Sequence, residues 1–112
     1  MYDAAIFIFL GAIEIIFGVP LFLKKVPPNR IYGYRCSRIG NNKDLWFAVN
    51  KLAGKYLILS GICLIVISVL LMIFFKNSNA ELLRIVNTAA VIIPLAAAII
   101  RCEKFLKENS IK

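Results

Sequence analysis

The sequence predicts an all-α integral membrane protein: a three-helix bundle with a structured, basic cytoplasmic loop between its first two helices. Three observations carry this reading. The 112 residues are 61% hydrophobic, above the roughly 45–50% of ordinary soluble domains, and a soluble core of this size could not hide so much apolar surface. Those residues are gathered into three blocks, each near the ~20 residues a helix needs to cross ~30 Å of hydrocarbon. Positive charge lies almost wholly in two segments outside the blocks.

The whole chain, 1–112, reads as one membrane domain. Helix 1 is expected at about 4–23, with Glu14 as its one charge. A cleavable signal peptide would need a basic start, a shorter apolar run and a small-residue cleavage site. The chain instead begins Met1-Tyr2-Asp3, and the run ends in Lys24-Lys25-Val26-Pro27-Pro28, the flank of a stop-transfer segment. The loop is expected at about 24–54, with a helical start before Gly54. Helix 2 follows at about 55–75, and its stretch from Leu57 to Phe75 carries no charge. Helix 3 is expected at about 82–100, apolar except for Arg84, Asn87 and Thr88, and a basic tail occupies 101–112.

The net charge of +8 is informative through its placement. Of fourteen Lys and Arg residues, eight lie between the first two blocks and four lie in the tail. With three spans, loop and tail share a side, and the positive-inside rule puts both in the cytoplasm and the N-terminus outside. The charge can serve topology alone, or it can attract anionic lipid or an acidic partner at about 1 kcal/mol per basic residue. No aromatic platform is interleaved with it, so nucleic acid is not an expected partner. Cys36 and Cys102 fall in a reducing compartment and Cys63 inside a helix, which argues against a structural disulfide. With no histidine and no paired-cysteine spacing, neither a metal nor another cofactor is expected.

Each block has one small or polar face. In helix 1 it is Gly11, Glu14 and Gly18; in helix 2, Asn50, Gly54, Gly61 and Ser68; in helix 3, Asn87, Ala90, Pro94 and Ala97 or Ala98. Lipid supplies no hydrophobic drive between helices, so close backbone packing and hydrogen bonds must hold the bundle. The same faces would also serve a homo-oligomer. Pro94 removes a backbone donor and should bend helix 3. Glu14 lies about ten residues into its helix, near the bilayer midplane, where a carboxyl is costly to keep charged. It is either a ligand, proton or switch site, or a neutral acid bonded across the bundle to Ser68 or Asn87.

The loop reads VPPNRIYGYRCSRIGNNKDLWFAVNKLAGKY. Pro27 and Pro28 stop helix 1, and Tyr32-Gly33-Tyr34-Arg35 is a turn-prone cluster whose aromatics suit the headgroup level. Asn42 is a candidate N-cap, with Asp44 in the first turn of the helix it opens. Leu45, Val49, Leu52 and Ala53 then form one apolar stripe, either of an interfacial helix or of an extension of helix 2. This order of residues, Pro28-Asn29, Tyr32-Gly33-Tyr34-Arg35, Asn42, Trp46, Asn50 and Gly54 after a first span, resembles the bacterial SdpI/YfhL family. That family is typified by immunity to a sporulation-delaying peptide toxin. Its members often have Thr where this chain has Cys36, and longer members carry additional helices.

The resemblance implies a multipass protein of the bacterial cytoplasmic membrane that binds a peptide toxin or membrane-associated ligand and signals by recruiting a cytoplasmic regulator. The residues to which it directs ligand or partner binding are Asn29, Tyr32, Tyr34, Arg35, Trp46 and Asn50, to which the depth of Glu14 adds a seventh candidate; Pro28, Gly33 and Gly54 read as structural. Arg35 and Asn50 stand out because both offer donors that a loop scaffold does not require. The alternative is a lipid- or solute-binding protein, in which Arg30, Arg35 and Arg38 engage phosphates and Glu14 supplies a polar point in the bilayer. An enzyme is not expected, since the sequence has no histidine, no serine in a nucleophile-elbow context and one intramembrane carboxylate.

Overall fold

The computed structural model describes residues 3–110 apart from Arg30, Cys36, Arg38 and Lys76, and of Ser110 the backbone alone. Three helices follow in chain order: α1 (Ala4–Phe22), α2 (Lys43–Phe74) and α3 (Ala80–Ser110). No strand occurs among the described residues. All three helices are long and apolar enough to cross a membrane.

The helix ends are chemically defined. The Asp3 carboxylate accepts from Ala5 N–H (3.0 Å), and the Asn42 side chain accepts from Leu45 N–H (3.0 Å) with Asp44 in the first turn of α2. The Asn79 side chain accepts from Glu81 N–H (2.8 Å) at the head of α3. Each oxygen satisfies an amide that has no partner within its helix. At its far end α1 is closed by Lys25 N–H on Pro20 O (3.0 Å) and Lys24 N–H on Leu21 O (3.2 Å). Lys24 takes a left-handed conformation with φ 60°, so a lysine fills the place usually given to glycine in this two-bond cap.

α2 is the axis of the molecule. Its 32 residues rise about 48 Å, well over the ~30 Å of hydrocarbon, and the surplus is the segment from Lys43 to Lys55. The stretch before Gly54 is therefore a continuation of the span and not a separate interfacial helix. α3 likewise continues unbroken through Pro94 and on to Ser110. The reason lies in a stripe at near four-residue spacing: Leu83, Asn87, Ala98, Cys102 and Leu106 are all buried. Residues 101–110 of the segment read as a basic tail are thus a helical extension that packs on the matching extension of α2.

α1 and α3 each pack on α2 and hardly touch each other. Against α1 the fit is backbone to backbone. A Cβ added to Gly61 would lie 2.5 Å from Gly11 O, and one added to Gly54 would lie 2.6 Å from Gly18 O. Paired glycines seven residues apart on both helices let the chains approach this closely. Against α3 the link is polar: Asn87 Nδ2 donates to Ser68 Oγ (2.9 Å), which itself donates to Leu64 O (2.7 Å). Asn87 and Ser68 are both fully buried. The small faces read from the sequence are these contact faces, with Ala98 and not Ala97 turned inward on α3.

Replacing Gly61 by Val is expected to force α1 from α2 and cost at least about 1–3 kcal/mol. Circular dichroism melting in detergent should show a lower midpoint, while Cys63→Val, on the exposed side of the same helix, should melt like the parent.

Candidate functional site

The segment between α1 and α2 is clamped onto the extension of α2 by side chains that bond main chain. Asn29 makes an Asx turn: its Oδ1 accepts from Ile31 N–H (2.8 Å) and Tyr32 N–H (2.7 Å), and its Nδ2 donates to Pro27 O (2.8 Å). Trp46 is buried and its indole Nε1 donates to Val26 O (2.8 Å). One turn later, Asn50 grips the Tyr34 residue from both sides. Its Oδ1 accepts from Tyr34 N–H (2.5 Å), and its Nδ2 donates to Tyr34 O (3.1 Å) and to Trp46 O (2.9 Å). Gly33 sits between these fixed points at φ 115°, where a side chain would be strained. A Cβ there would also meet Asn50 Oδ1 at 2.9 Å and the Trp46 ring at 3.0 Å.

Beneath the loop, Val26, Ile39, Leu45, Trp46 and Val49 form a small core with Leu21 of α1 and Cys102 and Leu106 of α3. All three helices therefore contribute to the surface on which the loop rests. Two tyrosines extend the clamp. The Tyr32 hydroxyl donates to Phe17 O, and its ring meets the Phe17 ring edge-on at 5.6 Å. Burial pushes the Tyr32 phenol above its ordinary pKa, so it remains a donor. The Tyr34 hydroxyl donates to the Glu103 carboxylate of α3.

Arg35 differs from its neighbours. It is exposed and bonds Asn29 O through Nη1 (3.3 Å), which leaves most of the five donor hydrogens of its guanidinium directed elsewhere. It stands at an open cleft of about 600 Å³ bordered by Pro28, Asn29, Ser37, Asn41 and Trp46. Such a donor-rich rim suits a carboxylate, a phosphate or a peptide carbonyl. No group of three or more potential metal ligands occurs among the described residues.

The structure thus brings together Pro28, Asn29, Tyr32, Gly33, Tyr34, Arg35, Trp46 and Asn50. Asn50, which the sequence reading singles out for donors that a loop scaffold does not require, spends its amide on the main chain of Tyr34 and Trp46 and so positions Tyr34. Gly54 belongs to the α1 contact. Glu14 stands apart, in the interface between α1 and α2. Its Cβ is a neighbour of Gly61, and its carboxyl approaches the Ser60 hydroxyl, but neither Glu14 Oε1 nor Ser60 Oγ completes a hydrogen bond. Ser68, one partner expected for Glu14, is engaged with Asn87. Arg30, Cys36 and Arg38 lie outside the described residues. Glu103 was not singled out from the sequence, although the Cys102/Leu106 spacing beside it signals a buried helical face.

Asn50→Ala leaves the Tyr34 amide and carbonyl without their side-chain partner and is expected to cost about 1–3 kcal/mol. Trp46 fluorescence should shift to the red and amide exchange over residues 26–42 should accelerate; unchanged exchange would refute the clamp.

No curated protein and no solved structure gives a significant match to the chain. Residues 25–102 match the model of the SdpI/YfhL protein family. That span takes in the loop, its clamp on α2 and α3 as far as Cys102, so the match covers most of the chain and the whole of the cleft. The chain is a multipass membrane protein and belongs to the SdpI/YfhL family.

Proposed function

We propose that this protein is an immunity-type receptor of the bacterial cytoplasmic membrane, which holds a peptide toxin or another membrane-associated ligand at the Arg35 cleft. The observation that carries the reading is a division of labour within one motif. Asn29, Gly33, Trp46 and Asn50 are consumed in building the loop, whereas Arg35 is held out at its open rim. Preorganising the donor in this way lowers the entropic cost of binding.

In this reading the loop and the far end of α3 face the cytoplasm and the N-terminus lies outside, as the charge asymmetry favours. Occupancy of the cleft acts on Tyr34, and through its bond to Glu103 on the basic end of α3. That end would dock an acidic cytoplasmic regulator. The role is binding and not catalysis: the polar groups that the described residues bring to the cleft are amide, guanidinium and hydroxyl, and they suit recognition. The same donors favour, as a second reading, a lipid or solute ligand in place of a peptide.

Expression in a susceptible bacterium should raise survival against secreted peptide toxins. Arg35→Ala, at equal abundance in the membrane, should weaken the toxin's binding about 10- to 100-fold, the range for losing a charged hydrogen bond. Absence of protection with normal insertion would favour the second reading. A tag fused after Lys112 should resist protease added to spheroplasts and be cut once they are permeabilised; cleavage in intact spheroplasts would reverse the orientation.

A further inference from the structure

On a different face of the molecule, away from the Arg35 cleft, two adjoining hollows lie among the basic residues that follow α1 and those of α2 and α3. The first, about 280 Å³, is bordered by Lys24 at the end of α1 and by Lys51 and Lys55 of α2. The second, about 210 Å³, is bordered by Arg101 and Lys104 of α3, with Tyr56 and one acid, Glu108. Leu52 and Phe105 line both, so the two hollows are continuous with one another at these side chains. Phe22 completes the floor of the first, with Lys51 Nζ 5.3 Å from the centre of its ring.

We propose that these hollows form one binding site for an anionic phospholipid. Its headgroup phosphate is held among Lys24, Lys51, Lys55, Arg101 and Lys104, and its acyl chains run along α2 between α1 and α3. Three observations point to this occupant. Lys24 just past α1, two cations of α2 and two of α3 surround the hollows, with one carboxylate among the described lining residues, a charge balance that suits a phosphate and disfavours a cationic or zwitterionic head. The floor of the first hollow is apolar, formed by Phe22, Leu52 and Phe105, as the start of an acyl chain requires. Below it the surface stays apolar at seven-residue spacing: Leu52 leads to Leu59 and Val66, which are 47% and 49% exposed. α1 and α3 hardly meet, and they leave Leu59 and Val66 exposed. A free phosphate would use the cations and leave the floor and the stripe uncovered.

The test uses the purified full chain in neutral detergent, with phosphatidylglycerol and phosphatidylcholine added together and retained lipid counted by native mass spectrometry. The parent should retain phosphatidylglycerol at least tenfold more than phosphatidylcholine. Lys51→Gln/Lys55→Gln/Arg101→Gln should bring that preference close to unity. Lys25→Gln/Lys43→Gln/Lys107→Gln, which removes the same charge away from the hollows, should keep it. Glycerol 3-phosphate at equal concentration should not displace the lipid. Equal retention of both lipids by the parent, equal loss in both triple variants, or displacement by glycerol 3-phosphate would each overturn the proposal. Should the first triple variant lose its helical circular dichroism, Lys51→Glu alone should lower the preference, and an unchanged preference would overturn it.

Discussion

The architecture depends on how closely α1 and α2 approach. In a membrane the tails of lipids are as apolar as the side chains, so helices gain nothing by merely hiding leucine from solvent. Association must come from dispersion at short range and from hydrogen bonds. Gly11, Gly18, Gly54 and Gly61 bring carbonyl oxygens to within 3 Å of where a Cβ would stand, which is as near as two helices can come. That contact sets the position of Phe22 beside the extension of α2, and so the point from which the loop must start.

From that point the loop has to return to Asn42 over a short path, and its main chain cannot leave its polar groups unpaired next to a membrane. The answer is side-chain bonding from α2 and from within the loop. Asn50 imitates the donor and acceptor of a neighbouring strand, Asn29 closes a turn on itself, and Trp46 ties down Val26. Most of the motif is thus spent on backbone. A side chain such as Arg35 becomes useful for recognition because its surroundings are rigid without it.

The extensions of α2 and α3 beyond the bilayer give the molecule a second, partly water-facing unit. Cys102 and Leu106 pack with Trp46 and Val49, and Tyr34 reaches Glu103. The loop, α2 and α3 are joined there by both apolar and polar contacts, so a change at the loop has a physical route to α3. Within the bilayer the α2–α3 interface offers the Ser68–Asn87 link, whereas the Glu14–Ser60 approach remains an unclosed polar contact.

The sequence by itself determined the three spans, their contact faces, the Asn42 cap and the family. Each of these follows from a local or periodic property: runs of apolar residues as long as a bilayer is thick, small residues at helical spacing, an amide before a helix, a motif in order. The glycine faces were legible because only one kind of residue permits such an approach. Tertiary structure alone decided which motif residues are consumed and which are free. Nothing in the spacing of Asn50 and Arg35 says that one amide will be taken up by the main chain of Tyr34 and Trp46 while the guanidinium, bonded once to Asn29 O, stands exposed at the cleft. It likewise decided that residues 101–110 are helix, since Cys102 and Leu106 rest on α2, and that Glu103 meets Tyr34, a partner 69 residues away. Long-range pairing of this kind depends on where the α1–α2 contact places the loop, and a single sequence carries no local signal of that geometry.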